Sequence, residues 1–98
     1  MPILLDLNNR KFQQAWFALQ KEDRAAVLQT CAKLAAMEWS AIYRDKGLDW
    51  ELIKSRLDED GSSLYSLRVT RKMRATVRRE GEYLEFLTLH PDHDSAYH

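Results

Sequence analysis

The segment Tyr65 to Arg79, YSLRVTRKMRATVRR, constrains the fold of this chain more than any other. Tyr65, Leu67 and Val69 alternate with Ser66 and Arg68. After Thr70-Arg71-Lys72 the alternation resumes, with Met73, Ala75 and Val77 set against Arg74, Thr76 and Arg78. A period of two places successive side chains on opposite faces of an extended strand. Two such runs around a short polar break predict a β-hairpin. The parity of its loop is decided by the apolar face. A two-residue loop, Arg71-Lys72, would pair Val69 with Arg74 and mix a guanidinium into that face. A three-residue loop, Thr70 to Lys72, pairs Val69 with Met73 and Arg68 with Arg74, so burial of one face selects it.

The same segment holds six of the fifteen basic residues of the chain and no acid. With Arg68 facing Arg74, two like charges sit directly opposite, which is destabilising without an anion between them. A bound anion or a neighbouring carboxylate satisfies that need. Such a face is either solvated and ion-paired, or it binds phosphate or an acidic protein.

Composition narrows the class. The 98 residues, 45% apolar and 31% charged, predict one folded domain spanning 1–98. No run of 18 apolar residues is present, so no transmembrane helix and no membrane partner is expected. The start, MPILLDLNN, turns polar too early for a secretory signal, and the expected setting is cytoplasmic. One cysteine, Cys31, excludes an internal disulfide and a thiolate metal site, and its apolar helical surroundings predict a buried structural thiol. Fifteen acids balance the fifteen bases, which argues against a protein that coats nucleic acid by bulk charge. Any polyanion site has to be local.

Taken in order, Ile3 to Leu7 suits an edge strand, and Asn8 or Asn9 suits an N-cap. Phe12, Ala15, Trp16 and Leu19 then follow the spacing of an amphipathic helix. After the break from Gln20 to Asp23, Val27, Leu28, Cys31, Leu34 and Ala35 form the apolar stripe of a second, making an αα-hairpin. Glu22 and Asp23 complement its N-terminus. Leu48 to Ile53 reads as a helical turn or a short irregular piece anchored by Trp50 and Leu52. Leu57 to Ser63 reads as an acidic loop, a ready internal partner for the arginines. Glu80-Gly81 reads as a two-residue turn, pairing Val77 with Leu84, Ala75 with Phe86, Thr76 with Glu85 and Arg74 with Leu87. In that register Glu85 joins the arginine face and His90 lies on the apolar side. Tyr83 to His90 is apolar on both faces, as in an interior strand. The result is an α+β fold of order β-α-α-β-β-β, with the helical hairpin packed on a mainly antiparallel sheet.

Three groups of residues carry a resemblance: Gly47-Leu48-Asp49-Trp50-Glu51-Leu52; Ser66-Leu67-Arg68-Val69 with Arg74-Ala75; and His93-Asp94-Ser95-Ala96-Tyr97. Together with the element order, the chain resembles the RelE/ParE toxin superfamily of bacterial toxin–antitoxin systems, closest to RelE-like or plasmid-stabilisation members. The RelE branch implies an endoribonuclease that cleaves mRNA in the ribosomal A site and is neutralised by a cognate antitoxin. The ParE branch implies an inhibitor of DNA gyrase, a non-catalytic interaction module. Two features depart from the ribonuclease branch. Asp58-Glu59-Asp60 stands where paired lysines are common, and the net charge is zero rather than strongly basic.

Metal-independent RNA cleavage needs the 2′-OH deprotonated, the phosphorane charge stabilised and the 5′-oxygen protonated. Arginine suits the second task, because it stays charged and grips two phosphate oxygens. Arg74 matches the arginine that the ribonuclease branch places on its central strand, with Arg68 opposite. Arg71, Lys72 and Arg78 are further candidates for phosphate or RNA binding. Proton transfer near neutral pH points to histidine; His93 and His90 lie at the strand ends, His93 as the catalytic candidate and His90 read as a hydrogen-bonded structural residue, with Tyr97 matching a C-terminal tyrosine of the family. Their structural alternatives are a His93-Asp94 cap and a Tyr97 ring packed on the sheet. Glu85 is an ion-pair partner or a general base. His90, Asp92, His93, Asp94 and His98 form a loose histidine–aspartate group, but an irregular tail does not fix metal-ligand geometry, so neither metal nor cofactor is expected.

Overall fold

Asn9 starts the helical part of the chain. Its side chain accepts a hydrogen bond from the Phe12 amide at 3.2 Å, which satisfies one of the four amides that a helix start leaves open. The computed structural model describes residues 1–57 and 63–91. In order it contains β1 (Leu4–Asp6), α1 (Arg10–Phe17), α2 (Lys21–Ala35), α3 (Trp39–Ile42), β2 (Glu51–Leu57), β3 (Ser63–Arg68), β4 (Arg74–Glu80) and β5 (Tyr83–His90). The strands form one sheet in the order β1-β5-β4-β3-β2. β1 lies parallel to β5, and the other neighbours are antiparallel. The architecture is α+β, with β1 on an edge and β5 inside the sheet.

One face of the sheet is the core. Leu67, Ala75, Val77, Leu84, Phe86 and Leu89 point into it, and Phe12, Val27, Cys31 and Leu34 meet them from the helices. The Phe12 and Phe86 rings lie 5.2 Å apart and neither is exposed. In α2 the buried stripe is Val27, Thr30, Cys31 and Leu34, one turn-wise ridge. Leu28, expected on that stripe, is 59% exposed. A corner of stacked and edge-on rings (Trp39, Tyr43, Trp50 and Tyr65) closes the β2 end, with the Arg79 guanidinium 4.0 Å above Trp39.

The first hairpin has the three-residue-loop register. Arg68 pairs with Arg74 and Leu67 with Ala75, and the Val69 amide donates to the Met73 carbonyl at 2.9 Å. Thr70 holds the loop by accepting from the Lys72 and Met73 amides.

Three expectations are corrected. Leu48 to Ile53 is neither a helical turn nor irregular throughout: β2 starts at Glu51 and pairs with β3 from Glu51↔Ser66. Asp49, at φ +46°, breaks any helical path just before it. Trp50 stacks on Tyr65 as an anchor, but Leu52 is half exposed on the edge strand. The C-terminal half is therefore a four-stranded meander, not three-stranded. Secondly, the last turn is Gly81-Glu82, flanked by the pair Glu80↔Tyr83. Only its first residue has positive φ (+61°), the pattern of a type II′ turn with glycine first, and this shifts the pairing by two residues. Thirdly, β5 carries a bulge: Val77 pairs with Phe86, yet Thr76 pairs with Thr88. Leu87 is the extra residue. The bulge lets Leu84, Phe86 and Leu89 all reach the core, because it flips every side chain after it. His90 thereby lands on the arginine face, opposite Arg74, and not on the apolar side.

Candidate functional site: a polar sheet face built around two arginines

The face opposite the core is polar. Alternation along each strand lays it out in rows across the sheet. One row is Arg68, Arg74 and His90. The next is Glu51, Ser66, Thr76 and Thr88. A third holds Arg78, Glu85 and Asp6.

Arg74 is at its centre and has no exposed surface. A buried guanidinium is costly unless its donors are filled, and here they are. Nε donates to Ser66 Oγ at 2.5 Å, Nη1 to Asp49 Oδ2 at 3.0 Å, and Nη2 to the Asp49 carbonyl at 2.6 Å. Glu51 Oε2 lies 4.0 Å from Nη2 and adds negative charge. Arg68, 42% exposed at its side chain, donates from Nη2 to the same Asp49 Oδ2 at 3.2 Å. One carboxylate oxygen thus stands between two guanidiniums that the strand register places face to face. Its attraction to each offsets their mutual repulsion.

The turn before β2 fixes that oxygen. Asp45 accepts from Lys33 Nζ and from the Leu48 amide, both at 3.0 Å, and its carbonyl accepts the Asp49 amide. The Lys33 hydrogen bond, foremost, and then the Leu48 amide hold the Asp45 carboxyl below its ordinary range. Leu48 is buried in the core, and its carbonyl accepts the Arg68 amide at 2.7 Å. The left-handed conformation of Asp49 then turns both its carbonyl and its carboxylate onto Arg74. Aspartate tolerates this region better than most residues, at a cost of about 1 kcal/mol.

Two further contacts complete the face. Arg78 donates to Glu85 Oε1 through Nε, at 3.1 Å, and through Nη2. Glu85 is thus an ion-pair partner, opposite Arg78 in the register. Thr76 Oγ1 and His90 Nε2 lie 2.8 Å apart. Arg71 and Lys72 are exposed at the hairpin tip, away from these rows. Together with Asp23, Thr70, Met73 and Pro91 they line a surface depression of about 350 Å³.

The structure therefore brings Arg68, Arg74 and Arg78 onto one face and sets Arg71 and Lys72 apart. His93, Tyr97 and the Asp58-Glu59-Asp60 stretch lie outside the described residues. So do Asp92, Asp94 and His98, the other members of the histidine–aspartate group. Among the described residues no group of three or more His, Cys, Asp or Glu is placed to hold a metal ion, and no helix is long and apolar enough to cross a membrane. Sequence reasoning placed Ser66 and Thr76 on the arginine face without giving them contacts, and missed Asp49 as its carboxylate. The available signal was the facing arginine pair, which demanded a carboxylate without saying which.

No protein-family model and no curated protein matches the sequence. Among solved structures, the chain is similar to the crystal structure of a copper-bound mutant toxin from Helicobacter pylori. The TM-score is 0.53 with 13% sequence identity, over 97% of this chain and 99% of that one. At that identity the likeness speaks for the fold over its full length: this chain has the α+β fold of that toxin.

Proposed function

We propose that this protein is a toxin of the RelE/ParE kind, acting as a ribosome-dependent mRNA endonuclease and held in check by a cognate antitoxin. The observation that carries the proposal is the polar sheet face on which Arg68, Arg74 and His90 share one row and Arg78 stands two rows along. The fold shared with the Helicobacter pylori toxin supports the same reading. Arg68, the more exposed of the facing pair, meets the scissile phosphate first. Arg74 stabilises charge on the phosphorane behind it, a task for a group that keeps its proton. Arg78, with Arg71 and Lys72 at the hairpin tip, tracks neighbouring phosphates. His93 and Tyr97 assist proton transfer and base positioning, and His90, in contact with Thr76, is a further proton-transfer candidate. The chemistry requires neither metal nor cofactor.

A second reading has its own observation. Arg68 and Arg74 share Asp49, and Arg78 holds Glu85, so these three arginines already hold carboxylates. A toxin-fold interaction module, such as an inhibitor of gyrase or of another protein, needs no more from them than that. Induced expression in a bacterium, with Arg68→Ala and Arg74→Ala in parallel, separates the two. The ribonuclease reading expects growth arrest with new mRNA ends at A-site codons, both lost in folded variants. Arrest with intact mRNA supports the module.

A further inference from the structure

The place between Arg68 and Arg74 is already filled by an anion of the protein's own. Asp49 Oδ2 accepts from Nη1 of one arginine and Nη2 of the other, at 3.0 and 3.2 Å. That is the arrangement in which a single phosphate oxygen is gripped by two guanidiniums. Arg74 has no surface of its own, whereas the Asp49 side chain is 38% exposed. Asp49 is thus the cover over Arg74, and it is open to solvent on its outer side. It also sits in a left-handed conformation at the end of a turn, φ +46°.

We propose that Asp49 is a built-in competitor for a backbone phosphate of single-stranded RNA. The phosphate binds by exchange, displacing the Asp49 carboxylate from Arg68 and Arg74 while the Ser66 contact keeps Arg74 aimed. This rests on the reading of the arginine face as an RNA site, and it names the regulation of that site. Exchange of one anion for another leaves neither arginine unpaired at any stage, so the buried charge of Arg74 is no barrier to binding. It also keeps this local pair of arginines from attaching unselectively to nucleic acid. The phosphate has to outcompete a tethered carboxylate, and only a ligand held by further contacts does so.

The test is the binding of a short fluorescein-labelled single-stranded RNA by fluorescence anisotropy, at several salt concentrations. Asp49→Asn keeps a side chain that tolerates the left-handed region and removes the competing charge. It is expected to bind about tenfold tighter than the wild type. The salt dependence steepens by about 0.7 in log–log slope, because in the wild type the freed Asp49 carboxylate offsets one released counter-ion and in the variant it does not. Adding Arg68→Ala to Asp49→Asn removes both gains. Glu80→Gln makes the same change in net charge at an exposed position on β4 and controls for bulk electrostatics. Binding by Asp49→Asn no tighter than by Glu80→Gln overturns the exchange. The wild type gives a second readout that needs no variant. The carbon-13 resonance of the Asp49 carboxylate moves toward its solvated position as RNA saturates the protein, and a resonance that stays in place overturns the proposal. Failure here and failure of the ribonuclease reading are separable. Tighter binding by Asp49→Asn beside a wild type that cleaves no mRNA upholds the exchange and removes the nuclease. Cleavage by the wild type without the gain in Asp49→Asn does the reverse.

Discussion

Removing the Asp49 carboxylate tests the polar face at its centre. In Asp49→Ala, Arg74 keeps Ser66, a backbone carbonyl and the more distant Glu51 carboxylate but loses its nearest counter-ion, and Arg68 then faces it across the strands without the carboxylate they share. Breaking a fully buried pair costs about 3–5 kcal/mol. Asp49 is more than a third exposed, so water relieves part of that, and about 2–3 kcal/mol remains. Alanine in the left-handed region adds about 1 kcal/mol. The sum, about 3–4 kcal/mol, corresponds to a fall in Tm on the order of 15 °C or more for a domain of this size. Asp49→Asn keeps the conformation and an acceptor oxygen and loses about 1–2 kcal/mol. Arg74→Met in the Asp49→Ala background recovers much of the loss, because no buried charge remains unpaired. Urea unfolding monitored by tryptophan fluorescence, with the slope checked for constancy, gives the four stabilities of the cycle. Asp49→Ala within about 0.5 kcal/mol of the wild type, or strictly additive single and double variants, would refute the reasoning, since distant independent sites behave that way.

Five further outcomes are expected. Cys31 is buried, and desolvation pushes its thiol up to about 11, so the native protein resists a thiol reagent at pH 8 and reacts only on unfolding. Because the folded value lies above the ordinary one near 9, this thiol contributes stability that is whole below pH 9 and fades as the pH rises through 11; Cys31→Ser removes that slope from a pH series of urea midpoints. Gly81→Ala meets open space but is held at φ +61°, and it loses about 1–2 kcal/mol from backbone strain alone, read by thermal melting. Phe12→Ala opens a cavity against Phe86 and costs about 3–5 kcal/mol in the same assay. Thr76→Val removes the Thr76 hydroxyl from His90, and under the nuclease reading it shifts the pH profile of cleavage while changing the unfolding free energy by no more than about 1 kcal/mol.

Local pattern carried the first hairpin completely. Its loop parity, the Val69–Met73 pairing and the meeting of Arg68 with Arg74 all follow from one apolar face. The second hairpin was legible only up to its turn. Gly81 has to come first in a type II′ loop, a matter of φ that Glu80-Gly81-Glu82 does not announce by hydrophobicity. The bulge at Leu87 was hidden because Tyr83 to His90 is apolar on both faces, so alternation could not show where the strand slips. That slip decides the side of His90, and hence membership of the site. β2 was missed because its start depends on the left-handed Asp49, and aspartate there is chosen by Arg74, a residue 25 positions later. The anion demanded by the arginine pair was legible as a need. Its supplier was not, since the sequence offered Asp58-Glu59-Asp60 just as readily.

The most direct test of the proposed activity is a reconstituted reaction: purified protein, ribosomes stalled with a defined codon in the A site, and end-labelled mRNA. The ribonuclease account predicts cleavage within that codon by the wild type. The product should be greatly reduced with Arg68→Ala, a change at a side chain that is 42% exposed. Intact mRNA under those conditions, from protein whose urea midpoint shows it to be folded, contradicts the account.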